Sequence, residues 1–113
     1  MLRTEYWEAY NQVNKLFADT ILSLSKMNTL IWINDMHLLL CPVKITSKNE
    51  YANIGLFIHS SFPTAEVYRI FPHREYILGS MLCCNIVGFH VFTYARHFVI
   101  ACRRVLGLAH QIR

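Results

Sequence analysis

Asp35 and His59 are the two side chains of this sequence best placed for chemistry, because each follows an apolar run. Asp35 comes after the run 30–33 with Asn34 between them, and His59 ends the run 54–58 directly. A carboxylate beside a buried strand costs free energy unless it is paired or faces a ligand, which favours a functional role for Asp35. A histidine in such a position can equally well cap the strand, so His59 stays open between a structural and a functional role. Carboxylates commonly accept hydrogen bonds from sugar hydroxyls, and the pattern is compatible with such a ligand.

A third apolar run, 85–89, also ends at a polar ring, His90. In open parallel sheets, ligands bind in the crevice beyond the carboxyl ends of the strands. The loop after His59 brings hydroxyl groups and a predicted helix N-terminus, which could meet an anion or a hydroxyl group. The spacing therefore predicts a ligand-binding crevice that carries a carboxylate and an imidazole.

The sequence carries neither a recognised metal-binding motif nor a common enzyme motif. His37 and Cys41 are four residues apart, and His59 could be imagined as a third ligand, but no fourth ligand stands at a recognised zinc spacing. The sequence contains no nucleophile elbow, P-loop, dinucleotide fingerprint or H-E-x-x-H motif. We interpret His90 and His97 as structural, and we expect no metal and no cofactor.

The elements that must position these residues alternate between helices and strands. An amphipathic helix is predicted from Thr4, and its apolar face is formed by Tyr6, Tyr10, Val13, Phe17, Ile21 and Leu24. The apolar runs 30–33, 54–58 and 85–89 predict buried strands, and further helices are predicted over 65–70, 73–82 and from Val91 to a stop at Gly107. A helix could open at 37–42, limited by Pro42, before a surface loop at 45–53. The alternation predicts an α/β fold with a parallel sheet covered by helices on both faces.

Composition limits the classes of partner. The chain has 113 residues, one domain or part of one, and only 16% of them are charged, where about a quarter is usual. This deficit indicates that some faces are covered by other protein. The net charge of +4 comes from scattered lysines and arginines, whereas nucleic-acid binding usually needs a concentrated patch. We therefore expect no nucleic-acid partner.

Cysteine spacing and hydropathy favour a cytoplasmic protein without a membrane span. The four cysteines show no C-x-x-C spacing, and the start of the chain, MLRTEYWEAY, has no signal-peptide pattern. Cys83 and Cys84 would point to opposite sides of a strand. The segment 77–95 has no formal charge over nearly a spanning length, but its glycines, Asn85 and His90 argue against a transmembrane helix.

Several blocks of the chain resemble the trehalose-6-phosphate synthases, and they follow the same order along nearly its whole length. WEAYNQVNKLFAD is similar to the family's W-x-x-Y-x-x-V-N-x-x-F-A, and WINDMHLLLCP to its W-(V/I)-H-D-Y-H-L-x-x-x-P. IGLFIHSSFPTAEVYRIFPHRE resembles the pattern I-G-F-F-L-H-x-P-F-P-S-x-E-x-(Y/F)-R-x-L-P-x-R-E, while NIVGFH and TYARHF resemble D-L-(I/V)-G-F-H and Y-A-R-H-F. In its details the sequence resembles the two-part plant-type members, which join a synthase-like region to a phosphatase-like one.

The resemblance implies a retaining glycosyltransferase that moves glucose from UDP-glucose to glucose 6-phosphate without an obligatory metal. It implies a GT-B fold of two Rossmann-like domains, with residues 1–113 as part of the N-terminal one and the C-terminal donor-binding domain absent. Asp35 would bind the glucose 6-phosphate acceptor, and His59 would lie beside the transferred glucose as a catalytic residue. Basic groups of the missing domain would stabilise the leaving diphosphate, so the isolated chain is predicted to be inactive.

The sequence departs from the family pattern beside these residues. Asn34 and Met36 replace a histidine and a tyrosine on either side of Asp35, and Ser61 stands where a proline is usual. No glycine-containing donor loop precedes Thr4. These departures keep a second interpretation open, a non-catalytic regulatory or interaction protein derived from the family, with a protein partner in place of the missing domain.

Overall fold

The computed structural model of the chain describes residues 4–60 and 73–107, in which helices and strands alternate. The elements are α1 (Thr4–Leu24), β1 (Leu30–Asn34), α2 (Cys41–Thr46), β2 (Asn53–Ile58), α3 (Arg74–Met81), β3 (Ile86–Phe89) and α4 (Phe92–Leu106). Gly107 ends α4 in a left-handed conformation with φ of 69°, which glycine adopts without a Cβ clash. The predicted alternation is confirmed within these ranges. The helix predicted over 65–70 lies outside the described residues.

The three strands form one parallel sheet in the order β1-β2-β3. Ile33 pairs with Leu56, and Leu56 pairs with Val87. Because the strands are parallel and adjacent, their carboxyl ends lie at one edge of the sheet. The predicted parallel α/β architecture is confirmed, and it brings the polar residues that follow β1, β2 and β3 to the same side of the molecule.

The hydrophobic core lies on one face of the sheet. Alternate strand residues such as Ile31, Ile33 and Leu56 point into it. The helices supply the opposite side of this core through Ala18, Ile45, Leu78, Met81, Phe98, Ala101 and Cys102. Burial of these apolar side chains is the main stabilising contribution to the fold.

Part of the other face of the sheet is exposed, so within residues 4–60 and 73–107 the expected helical cover on both faces is incomplete. Leu30 is 66% exposed, Trp32 is 52% exposed and Ile86 is 66% exposed. The pleat sends Leu30 and Trp32 to the side opposite Ile31 and Ile33, while the described helices contribute their buried residues to the core face. A parallel sheet is normally covered on both sides, so this face is a candidate contact surface.

The predicted apolar face of α1 is partly wrong. Val13 and Phe17 are about half exposed, at 46% and 51%, although Tyr10 and Ile21 do pack against the core. The buried positions of this helix are Trp7, Asn14 and Ala18. The small side chain of Ala18 lets the helix approach the core closely, and the amide of Asn14 is satisfied by hydrogen bonds that a sequence pattern does not reveal.

The segment between β1 and β2 also differs from the prediction. The helix α2 begins at Cys41 and carries Pro42 in its first turn, where a backbone N–H has no partner within the helix and proline is well tolerated. Pro42 therefore starts this helix instead of limiting it. Ile45 is completely buried, so the surface loop predicted over 45–53 is shorter, because α2 continues to Thr46 and β2 starts at Asn53.

The apolar segment 77–95 is divided among several elements. It forms the end of α3, a turn, β3 and the start of α4, and within the described ranges no helix is long and apolar enough to cross a membrane. Cys83 and Cys84 lie in the turn and not in a strand. All four cysteines are free thiols, as the spacing indicates.

Candidate functional site

Asn34, His59 and His90 meet at the carboxyl ends of the three strands. Nδ1 of His59 lies 3.1 Å from Nε2 of His90, and Nε2 of His59 lies 3.1 Å from Oδ1 of Asn34. The three side chains are exposed, so a ligand can reach them. His59 thus contacts Asn34, which the sequence analysis treats only as a departure from the family pattern, and His90, which it interprets as structural.

Trp32 determines which atoms of this cluster donate. Its indole Nε1–H donates to Oδ1 of Asn34 at 3.1 Å, and an indole nitrogen can only donate. The amide oxygen of Asn34 must therefore face both Trp32 and His59, which makes Nε2 of His59 a donor as well. When His59 is neutral, its Nδ1 accepts and Nε2 of His90 donates. These proton positions follow from the hydrogen-bond network.

Aromatic packing on the open sheet face supports the two imidazoles. The ring of Phe57 lies 4.8 Å from that of His59 and 5.0 Å from that of His90, centroid to centroid. A Cβ atom at Gly88 would stand 2.7 Å from Cδ2 of Phe57. Glycine at this position therefore lets the Phe57 ring lie across β3 and contact both histidines.

Asp35 has a strained backbone and an unpartnered carboxylate oxygen. Its φ is 64°, in the left-handed region that non-glycine residues seldom adopt. Its N–H donates to the carbonyl of Phe57 at 2.7 Å, which ties the end of β1 to β2. Its Oδ1 is buried and has no hydrogen-bond partner among residues 4–60 and 73–107. Buried acceptors are nearly always satisfied, so this atom is suited to receive a donor group from a ligand.

Tyr10 and Asn14 hold the turn that follows Asp35. The Tyr10 hydroxyl donates to the carbonyl of Met36 at 2.8 Å and accepts from the N–H of Leu39 at 3.1 Å. Burial raises the pKa of Tyr10 above 10.0, so the hydroxyl keeps its proton at neutral pH.

Asn14 contributes the second half of this arrangement. Its Nδ2 donates to the carbonyls of Tyr10 and His37 at 2.8 and 3.2 Å, and its Oδ1 accepts from the N–H of Leu40 at 3.0 Å. Sequence reasoning assigned no role to Asn14. The available signal was the W-x-x-Y-x-x-V-N block, which places a tyrosine and an amide one helical turn apart.

The candidate zinc ligands are not arranged around a common point. Within residues 4–60 and 73–107, no three His, Cys, Asp or Glu side chains are placed to hold a metal ion. Cys41 is buried, its thiol donates to the carbonyl of Asn14 at 3.4 Å, and burial raises its pKa to about 11. Cys41 is therefore a packing residue of the core.

Asp35 and His59 both follow a strand at the same edge of the sheet. The Asp35 carboxylate oxygen is buried, whereas His59 forms part of the exposed cluster with Asn34 and His90. The arrangement offers two adjacent polar groups to a ligand. One is an acceptor without a donor, and the other is an imidazole with a fixed orientation.

This chain is similar to known proteins along nearly its whole length. The family model of glycosyltransferase family 20 matches residues 2–113. A probable α,α-trehalose-phosphate synthase (UDP-forming) 11 of Arabidopsis thaliana is 44% identical over 106 residues, covering 93% of this chain and 12% of the relative. The α,α-trehalose-phosphate synthase (UDP-forming) 1 of Aspergillus fumigatus is 44% identical over 107 residues, covering 91% of this chain and 21% of the relative. The chain therefore spans only a small part of these proteins.

Solved structures show the same fold. The N-terminal domain of a trehalose-6-phosphate phosphatase from Candida albicans superposes with a TM-score of 0.93 at 35% identity, covering 96% of this chain and 23% of that one. An Escherichia coli structure described as bound with UDP-2-fluoro glucose gives a TM-score of 0.91 at 26% identity, covering 100% of this chain and 25% of that one.

Proposed function

The chain belongs to glycosyltransferase family 20, and on that basis we propose that it is a segment of an α,α-trehalose-phosphate synthase. The complete enzyme would transfer glucose from UDP-glucose to glucose 6-phosphate with retention of configuration. Residues 1–113 would form part of the N-terminal Rossmann-like domain, and a second domain would bind the nucleotide. The buried carboxylate oxygen of Asp35, which accepts no hydrogen bond from the described residues, lies at the edge where the strands end and is the observation that carries this proposal.

Asp35 would bind a hydroxyl group of glucose 6-phosphate. A ligand hydroxyl that donates to Oδ1 would satisfy the buried acceptor, and a hydrogen bond to a charged group contributes about 1.5–3 kcal/mol. Because the backbone of Asp35 is fixed to β2 through the carbonyl of Phe57, the carboxylate would hold the acceptor sugar in one orientation. Fixing two reactants in this way lowers the entropic part of the barrier.

His59 would contact the transferred glucose near the reacting centre. The Trp32 indole holds the amide oxygen of Asn34, and that oxygen accepts a hydrogen bond from Nε2 of His59. Nδ1 of His59 is therefore the ring atom that can exchange its partner. A sugar hydroxyl would replace His90 at Nδ1, so the donor sugar and His90 compete for one atom. His59 would thus orient the sugar through hydrogen bonding.

The rest of the reaction needs groups that lie outside this segment. The diphosphate leaving group develops negative charge in the transition state and must meet fixed positive charge. The polar groups described above at the strand ends are the amide of Asn34, the imidazoles of His59 and His90, and the carboxylate of Asp35. The isolated chain is therefore expected to show no glucose transfer, and activity would require a longer polypeptide that supplies these groups.

The experiment uses the full-length polypeptide, assayed for transfer of glucose from UDP-glucose to glucose 6-phosphate. Asp35→Asn should raise KM for glucose 6-phosphate by about ten- to a hundredfold, as expected for a lost charged hydrogen bond. Asp19→Asn is the matched control, because this carboxylate lies on the surface in an ion pair with Lys15 at 3.2 Å. Unchanged KM in Asp35→Asn would remove the assignment. Absence of transfer by the unmodified enzyme would favour a regulatory or interaction protein instead.

A further inference from the structure

We propose that Tyr10 and Asn14 of α1 are positioning residues for the acceptor sugar, because they hold Asp35 in its ligand-ready conformation. This inference rests on the proposed role of Asp35. It adds two residues that lie on another element, separated from the turn by 23 to 29 positions in sequence, and that do not themselves need to touch a substrate.

The backbone of Asp35 requires such support. A left-handed conformation is unfavourable for an L-residue, although aspartate tolerates it better than most. Strain of this kind persists only where the surrounding structure determines the local geometry. On the amino side, the N–H of Asp35 is held by the carbonyl of Phe57 at 2.7 Å. The carboxyl side needs an equivalent constraint, and the turn 36–40 provides it.

Tyr10 and Asn14 together bind both kinds of backbone group in that turn. They donate to the carbonyls of Met36 and His37, and they accept from the N–H groups of Leu39 and Leu40. Two side chains one helical turn apart thus fix the path of the chain immediately after Asp35. A rotation of this turn would move the carboxylate and break several hydrogen bonds at once.

Burial makes this arrangement difficult to replace with water. Asn14 is fully buried, with no exposed surface, and its amide is satisfied only by backbone groups of α1 and the turn. A buried polar group that loses its partner is destabilising, because its desolvation is no longer compensated. The structure therefore favours one conformation of the turn, and with it one direction for the Asp35 carboxylate.

The consequence is specific to one substrate. If Tyr10 and Asn14 act through Asp35, weakening them should impair binding of the sugar phosphate and spare binding of the nucleotide sugar. A residue that only stabilises the fold would lower the melting temperature without changing one KM selectively. The two roles can therefore be separated by kinetics.

The test compares Tyr10→Phe with Tyr51→Phe in the full-length polypeptide. Tyr10→Phe removes one oxygen atom, whereas Tyr51 is 85% exposed and serves as the matched control. Tyr10→Phe is expected to raise KM for glucose 6-phosphate about five- to tenfold, with KM for UDP-glucose unchanged within twofold. Asn14→Ala should show the same selectivity and provides the comparison if Tyr10→Phe does not fold.

A double variant shows whether the effect passes through Asp35. In the combination Tyr10→Phe with Asp35→Asn, KM for glucose 6-phosphate should equal that of Asp35→Asn alone, because coupled residues are not additive. Additive effects, or equal changes in both KM values, would overturn this inference while leaving the role of Asp35 intact. If Asp35→Asn itself has no effect, the proposed function of Asp35 fails first.

Discussion

Nδ1 of His59 lies 3.1 Å from Nε2 of His90, so the ends of β2 and β3 are joined through two imidazole rings. On the other side of His59, the hydrogen bond to Asn34 and the indole of Trp32 extend the same network to β1. One hydrogen-bonded chain therefore crosses all three strands at the edge where the ligand is expected. The indole N–H of Trp32, at the β1 end, fixes the amide orientation of Asn34, and the proton positions of His59 and His90 follow from it.

The first prediction concerns the tautomer of His59. Neutral His59 should carry its proton on Nε2, because Oδ1 of Asn34 can only accept there. A long-range proton–nitrogen NMR spectrum distinguishes the protonated and unprotonated ring nitrogens. In Asn34→Ala the preference should weaken, because water can serve either role. A proton on Nδ1 of neutral His59 in the unmodified protein would contradict the network.

The second prediction tests the packing that supports Trp32. A Cβ atom at Gly55 would lie 2.6 Å from Cε3 of Trp32, so Gly55→Ala should displace the indole and break its hydrogen bond to Asn34. We expect a loss of about 1–3 kcal/mol in the free energy of unfolding, typical of overpacking, measured by denaturant titration.

Gly79→Ala is the matched control for this substitution. A Cβ atom at Gly79 has no neighbour within 4 Å, and alanine is favoured over glycine inside a helix by up to about 1 kcal/mol. Gly79→Ala should therefore stabilise the protein. Equal effects of the two alanines would show that the contact with Trp32 is unimportant.

Sequence patterns predicted the elements of this fold better than their contacts. The apolar runs located β1, β2 and β3 because a buried parallel strand leaves a continuous apolar signature. The same reasoning placed Asp35, His59 and His90 at one edge, since parallel strands end together. It did not predict that His59 pairs with His90, because a strand end fixes position and not side-chain direction.

The remaining errors arose where tertiary contacts outweighed local pattern. Val13 and Phe17 suggested a core face for α1, but the buried side includes Asn14, whose amide is satisfied by a turn 23 to 26 residues away in sequence. Hydrophobic periodicity cannot identify a buried amide of this kind. The low charge content indicated that some faces are covered by other protein, but the strand pattern could not identify the face, since the strands are apolar on both sides whether or not this segment supplies a second helical layer.

The third prediction addresses the strain at Asp35. At φ of 64°, glycine has no Cβ to clash, whereas alanine does. Asp35→Gly should therefore be more stable than Asp35→Ala by about 1 kcal/mol, although both lose the carboxylate and should bind glucose 6-phosphate weakly. Denaturant titration of the two variants measures the difference. Equal stability would show that the backbone relaxes out of the left-handed region when the side chain is removed.

The fourth prediction concerns the pH dependence of the thiols. Burial raises the pKa of Cys41 and Cys102 to about 11 and that of Cys84 to about 12, from the usual value of 9.0. The thiolate is the reactive species, so at pH 8 these groups should react with a maleimide reagent mainly after unfolding. Rapid labelling of Cys41, Cys84 or Cys102 in the folded protein at pH 8, located by mass spectrometry, would contradict their burial.

The raised pKa values of these thiols also predict how the stability of the fold changes at alkaline pH. The folded state holds these protons more tightly than the unfolded state, so the stabilising contribution is complete below pH 9.0. It should be lost as the pH rises through 11 to 12. The denaturation midpoint is therefore expected to fall over this window, and Cys102→Ala should reduce the decrease.

The fifth prediction concerns the open sheet face formed by Leu30, Trp32 and Ile86. Exposed contiguous apolar surface promotes association, and this face also lies between two unpaired edge strands of the described sheet. The 113-residue chain on its own is therefore expected to self-associate, as measured by sedimentation velocity. Leu30→Lys combined with Ile86→Lys should reduce this association by placing two charges on the face.

A control with the same added charge separates the face from general solubility. Leu24 is 75% exposed and Met27 is 96% exposed, and both lie outside the sheet, so Leu24→Lys combined with Met27→Lys raises the net charge equally. If the open face drives association, the control pair should remain associated while the sheet pair becomes monomeric. Equal solubilisation by both pairs would mean that net charge alone controls association, and that the exposed strands need no covering layer.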